Sequence, residues 1–518
     1  MSKYLWAMLM SGSVIVAGCD EQTTELQSQT KQIPKSQAEQ TTELQSQTKQ
    51  IPKSQAKQTT EQQPQTKQIL KPQSQVEQIP ERQYQNAIEI LEEIDEAGVM
   101  TDGQLKVLST FDVLSFDGRT SITDIQLESL SKFTNLALND FTSITDSQAE
   151  SLSKVRVLAL NGLTSLTETQ AESLSKVGGL ELNGLTSITD TQAESFSKLG
   201  RLKLNGLTSL TETQAESLSK VFGLELNGLI SLTETQAESL SKVVGLELNG
   251  LTSITDEQAE SLSKVEELAL NGFTSITDTQ AESLSKVRAL ALNGLASLTD
   301  GQAKILSKVT FLELNDLPSL TEPQAESLSK VVGLELNGLT SITDTQVESL
   351  SKVQGLSLIK PSEGKSPAAW KFGVLHLNGL TSINDLQAES LSKVGSLALN
   401  GLTLLTEPQA EILSKVKFNL ALNGLVSLTD AQAKNLSKIA EEERDVRLGS
   451  LQLNSLPSLT DAQAESLGEV NSLKLMGLTS ITEAQAESLG KVYSLDVSDS
   501  IHLKVYKYRY GRFERNLR

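Results

Sequence analysis

"LALNGLTSLTETQAESLSKV" occupies Leu158–Val177, and close copies of it follow one another along most of the 518-residue chain. The Leu-x-Leu pair in the phrase marks the period. It stands at Leu114/Phe116, Leu136/Leu138 and Leu158/Leu160, and returns every 22 residues as far as Leu356/Leu358. Six later pairs, from Leu375/Leu377 to Leu495/Val497, bring the expected number of coils to about eighteen. Self-similarity at a fixed period of this size predicts a repeat array rather than a string of independent domains.

Within one coil, the alternation Leu158-Ala159-Leu160 has the period of a strand with one buried face. Asn161-Gly162 then ends it with turn chemistry, since both residues tolerate a positive φ. Leu163 and Leu166 continue inward. Thr167 followed by Gln170 is a capping box, in which hydroxyl and amide satisfy the free backbone donors at a helix start. Ala171, Leu174 and Val177 then form one narrow apolar stripe, with Glu172 and Lys176 outside it at the favourable i, i+4 spacing. A single coil leaves the flanks of its strand and helical turn open, so only stacking closes the core. Each fully buried Leu or Val contributes about 1.5–3 kcal/mol, and about six per coil are of the order needed to offset chain ordering.

The run Val177-x-x-Leu180-x-Leu182-Asn183-Gly184-Leu185 resembles the leucine-rich repeat, and the resemblance covers about residues 99–498. It implies an α/β solenoid: a leucine-rich repeat horseshoe with parallel strands on the concave face and short helices on the convex face. Strands stack at about 4.7–4.9 Å whereas packed helices need about 8–10 Å, which bends such a stack with its strands inside. The chain departs from the family in one respect. The family's ladder asparagine stands three residues after the second leucine, whereas Asn183 follows Leu182 directly. An asparagine ladder is still expected, in altered geometry. A parallel β-helix is the alternative architecture, and the helix-type capping boxes count against it.

The two ends differ from the array. "MSKYLWAMLMSGSVIVAGC" carries an early lysine, a short apolar run and then Cys19, the one cysteine of the chain. The run is short for a membrane span and reads as the apolar region of a secretory signal. Val16-Ala17-Gly18-Cys19 resembles the bacterial lipobox, which implies removal of residues 1–18 and lipidation of Cys19. An ordinary signal peptide or an uncleaved anchor is the alternative. By the same resemblance, Asp20 points to retention at the inner membrane. Residues 19–83 contain an 18-residue phrase, "EQTTELQSQTKQIPKSQA", rich in Gln, Thr and Lys and interrupted by proline. So little apolar surface predicts a disordered tether. Residues 84–98 are expected to form an N-terminal capping helix, 99–498 the solenoid and 499–518 a basic, aromatic C-terminal cap.

A net charge of −20 argues against nucleic acid, since phosphates require dense Lys and Arg. With one cysteine and two histidines, His376 and His502, the residue types that most often perform catalysis or hold metals are nearly lacking. The expectation is a non-enzyme without cofactor or small-molecule substrate. Its expected role is that of a lipid-anchored envelope protein of a bacterium whose concave face binds a protein or glycan. A structural envelope spacer is the competing reading. Residues between the paired leucines point to the concave face, and Glu181, Lys203, Glu225, Glu247, Glu313 and Glu335 make it mildly acidic. A merely solvated face is the plainer alternative. Trp370, in the irregular "IKPSEGKSPAAWKFG" after Leu358, refills the core or marks a binding edge. In the last segment, residues 501–518 hold six Lys or Arg against Glu514 alone. An extended tail there sets Tyr506, Tyr508 and Tyr510 on one face, with Lys507 and Arg509 opposite. Together with Arg512, these cations are candidates for docking an acidic partner or an anionic envelope polymer, with a plain cap on the last coil as the alternative.

Overall fold

The computed structural model describes residues 114–115, 124–131, 133–353, 373–439, 449–498, 501, 502, 504, 505 and 508. The chain divides into two units, Met1–Gln73 and Ser74–Arg518, and all described residues belong to the second. The expected signal peptide, tether and N-terminal capping helix lie outside the described residues.

Each described coil contributes a strand built around an inward leucine. From β1 (Leu114–Ser115) to β17 (Ser494–Val497), 17 such strands form one parallel sheet in which each pairs with its sequence neighbours. The register sets leucine beside leucine. Leu180 of β4 (Gly179–Glu181) faces Leu202 of β5 (Arg201–Lys203), which faces Leu224 of β6 (Gly223–Glu225). A seven-residue helix such as Glu168–Leu174 packs against those of the adjacent coils and separates consecutive strands. This is the α/β solenoid with leucine-rich repeat architecture, its strands on the concave side. Leu158, Leu160, Leu163, Ala171 and Leu174 are fully buried, and their equivalents run through the array as one continuous core.

Polar side chains join the coils at three positions. The backbone N–H of Asn183 donates to Asn161 Oδ1 at 3.1 Å, and Asn205 N–H to Asn183 Oδ1 at 3.1 Å. The asparagine ladder therefore exists, carried by the residue directly after the second leucine. The capping-box glutamine has a second task. Gln214 Oε1 accepts from Thr211 N–H at 2.9 Å, while its Nε2 donates to the Ile188 carbonyl of the previous coil at 2.9 Å. A buried amide with both ends occupied stabilises both its own helix start and the adjacent turn. Threonine hydroxyls add a third link, as from Thr211 Oγ1 to Asp190 Oδ1 at 3.0 Å.

Three expectations need correction. Gly162 does not adopt a positive φ; a Cβ there would run into the Asn139 carbonyl oxygen and stand 2.8 Å from that of Phe141. Glycine is required by the close approach of neighbouring coils rather than by turn handedness. Lys176 and Glu172 do not pair along their helix. Lys176 Nζ reaches Glu150 of the previous coil at 2.9 Å, and Lys198 Nζ reaches Glu172 at 2.8 Å. Stacking places the neighbouring coil's carboxylate closer than the one on its own helix. At the C-terminal end, residues 501, 502, 504, 505 and 508 are helical, not extended. Ile501 and Val505 are buried and Tyr508 packs on the core beside them, which is the i, i+4, i+7 stripe of a helix.

The ladder also decides how the irregular coils are passed. β11 (Gly333–Glu335) pairs directly with β12 (Val374–His376), and Asn378 N–H donates to Asn337 Oδ1 at 3.1 Å. The Leu356/Leu358 pair lies outside the described residues. In sequence Ile359, not asparagine, follows Leu358. Likewise β14 (Asn419–Ala421) pairs with β15 (Ser450–Gln452), and Asn454 N–H donates to Asn423 Oδ1 at 3.1 Å.

Candidate functional site on the strand face

Strands β2 to β15 have the form x-Leu-x, with leucine inward and its two neighbours on the opposite face of the sheet. The in-register pairing turns these neighbours into two continuous rows. Along the row after the leucine stand Glu181, Lys203, Glu225, then Glu247 of β7 (Gly245–Glu247). Ala269 of β8 (Glu267–Ala269) and Ala291 of β9 (Ala289–Ala291) follow. Glu313 of β10 (Phe311–Glu313), Glu335 and His376 complete the central part. The six candidate strand-face residues are thus brought into one row.

The row is less open to water than the sequence implied. Glu225 is buried, and the other acidic members are half-buried. The asparagine ladder draws them down: Asn205 Nδ2 donates to Glu225 Oε2 at 3.3 Å and Asn227 Nδ2 to Glu247 Oε2 at 3.2 Å. Asn293 does the same for Glu313 at 3.2 Å and Asn315 for Glu335 at 3.3 Å. One ladder therefore binds coil to coil and also orients the surface carboxyls.

Charge along the row is unevenly compensated. Lys203 Nζ lies 3.1 Å from Glu181 Oε1 and 3.3 Å from Glu225 Oε1. Burial works against its charge, but the two carboxylates outweigh that and hold Lys203 above the usual lysine range. Glu247 has no such partner within ion-pair distance among the described residues. Burial, and after it the adjacent Glu225 charge, push its carboxyl up to about 7. Glu313 is raised by burial and then by Glu335. For Glu335 burial acts in the same sense, yet the 2.9 Å contact with His376 Nδ1 and that residue's charge bring it below the usual glutamate value.

In the parallel row before the leucine, glycines stand among larger groups such as Arg201, Glu267 and Phe311. Arg288 donates to Glu267, and its guanidinium lies 5.9 Å from the centroid of the Phe311 ring. Sequence reasoning did not single out His376, Glu267, Arg288 or Phe311 as a group. His376 was legible, since it stands between Leu375 and Leu377; Arg288 precedes the strand and reaches the face only through its length. Trp370, Lys507, Arg509, Arg512 and Cys19 lie outside the described residues. Among those described, no group of three His, Cys, Asp or Glu is disposed to hold a metal ion, and no helix is long and apolar enough to cross a membrane. The face offers carboxyls, a few cations, one aromatic ring and small residues, a set suited to contact with a ligand's polar groups.

No protein-family model matches the chain, and no curated protein matches its sequence. Among solved structures it is similar to the TLR13–ssRNA13 complex, at 17% identity and a TM-score of 0.39, over 76% of this chain and 63% of that one. It is similar to the mouse RP105/MD-1 complex at 16% identity and a TM-score of 0.39, over 77% and 81%. An internalin, inlF, from Listeria monocytogenes str. 4b F2365 is similar at 17% identity and a TM-score of 0.31, over 77% and 98%. These are leucine-rich repeat proteins. Likeness at this level says nothing of what the present chain binds.

Proposed function

We propose that this chain is a lipid-anchored binding protein of a bacterial envelope, whose strand face engages a protein or glycan partner. One observation carries the reading. Through the array the helices repeat almost word for word, as in "ETQAESL" at Glu168–Leu174, Glu212–Leu218 and Glu234–Leu240. The outward strand positions do not: "RLK", "GLE", "ELA" and "FLE" occur at Arg201–Lys203, Gly223–Glu225, Glu267–Ala269 and Phe311–Glu313. Packing and ladders dictate the first set. The second is less constrained: "GLE" returns at four strands and the ladder orients its carboxyls, but charge and size still change along the row, as on a surface shaped toward a ligand.

Carboxyls outnumber cations on this face, which disfavours a nucleic-acid partner. Its half-buried polar groups, already oriented by the ladder, cost little further ordering on association. Attachment is assigned to Cys19, where a diacyl anchor supplies the two chains that stable membrane association requires. Saturable capture of one partner by the full chain supports the reading; failure of any partner to saturate favours an envelope spacer. Cys19→Ser tests the anchor separately: the protein leaves the membrane fraction or its precursor persists, and incorporation of labelled fatty acid by that variant excludes lipidation there.

A further inference from the structure

Glu225 and Glu247 occupy matching register positions on adjacent parallel strands. Strands of one sheet stand about 4.7–4.9 Å apart, so two side chains of the same length, leaving in the same direction, keep their carboxyls close. Lys203, on the far side of Glu225, is already shared between Glu181 and Glu225. Glu247 instead accepts two neutral amide donors on one oxygen, from Asn227 at 3.2 Å and Asn249 at 3.3 Å. On its other side β8 presents Ala269, and Glu267 of that strand is engaged by Arg288. The next carboxyl along the row, Glu313, lies beyond two alanine positions and supplies no cation. The nearest cation is thus one strand further away than the nearest like charge.

We infer that the Glu225–Glu247 pair, two side chains in register on adjacent strands whose one nearby lysine is already shared with Glu181, is a built-in proton-responsive element at the centre of the strand face. When pH rises through neutrality the pair's proton leaves, and two negative charges then stand on neighbouring strands with one lysine among three carboxylates. The element lies in the row through which, on the proposed function, the face would meet a ligand, so its charge follows the pH around the protein. No partner is needed for it to operate, and it stands or falls apart from the binding function.

The physical basis agrees with the geometry: burial, then Glu225, push Glu247 up to about 7. An ordinary glutamate, as in the unfolded chain, titrates at 4.5. Between those values the folded protein holds a proton that the unfolded chain has released. Stability therefore falls as pH rises across that window and levels off above it.

The test compares the full-length protein with Glu247→Gln, Glu225→Gln and, on the helix side, Glu150→Gln. Melting temperature is measured from pH 5 to 8.5, and proton binding of the native proteins by potentiometric difference titration. Relative to Glu247→Gln, the unsubstituted protein should lose melting temperature progressively toward neutral pH and then run parallel to it. It should also bind about one more proton at pH 6. Glu225→Gln, which leaves burial but removes the like charge, should move this proton's release to lower pH. Glu150→Gln should change nothing in the window, since the Lys176 hydrogen bond holds Glu150 below the usual value. If Glu247→Gln fails to fold, the displaced release in Glu225→Gln carries the test alone. Parallel melting profiles, or identical proton binding between pH 5.5 and 7.5, would overturn the inference.

Discussion

The helix side and the strand side of this solenoid are built by the same coils under different rules. On the helix side nearly every residue has a packing or ladder task. Thr211 caps, Gln214 caps and bonds the previous coil, Ala215 and Leu218 fill the core, and Lys198 pairs with Glu172 one coil back. On the strand side the central leucine repeats without change, whereas the outer positions carry residues as different as Arg201, Glu225, Glu267 and Phe311. The repeat thus concentrates its inter-coil ladders and core on one side, and under the proposed function leaves the outer strand positions to recognition.

Substitutions on each side can break that separation. The largest effect is expected within the shared core, where Leu246→Ala should destabilise by about 2–5 kcal/mol, as measured by denaturant unfolding. Gln258→Ala comes next. It leaves the Thr255 N–H and the Leu232 carbonyl without their buried partner, at a cost of about 1–3 kcal/mol, and should leave ligand capture unchanged. Lys198→Ala removes an exposed cross-coil pair, and the midpoint should shift by less than about 1 kcal/mol. Glu313→Gln should be smallest in stability, within about 0.5 kcal/mol, while weakening capture of the strand-face ligand. A loss of stability in Glu313→Gln as large as that in Gln258→Ala would show that the strand face has a structural task after all.

The leucine pairs and the Thr-x-x-Gln signature were enough to read the period, the parallel strands and the helix starts, because each rests on one coil's own pattern. What the sequence did not disclose concerns neighbouring coils. Nothing local in Gln214 indicates that its amide nitrogen reaches Ile188, and Gly162 was assigned to turn handedness when the carbonyls of Asn139 and Phe141 demand it. Lys176 was paired along its own helix for the same reason. The row from Glu181 to Glu335 followed from alternation alone. Its burial did not, because the asparagines that hold those carboxyls belong mostly to the preceding coil. At the C-terminus, alternation of tyrosines predicted a strand, whereas Ile501, Val505 and Tyr508 carry the helical spacing that the core selects.

The most direct measurement is capture of a partner from envelope and host-cell extracts by three forms of the full-length protein. One is unsubstituted. One is altered on the strand face, at Glu181→Gln, Arg201→Gln, Phe311→Ala and Glu313→Gln. The third is altered on the helix face, at Glu172→Gln, Glu194→Gln, Glu216→Gln and Glu238→Gln. The account predicts saturable capture by the unsubstituted and helix-face forms and its loss, with melting temperature nearly kept, in the strand-face form. Equal capture by all three, or loss in the helix-face form alone, would contradict it.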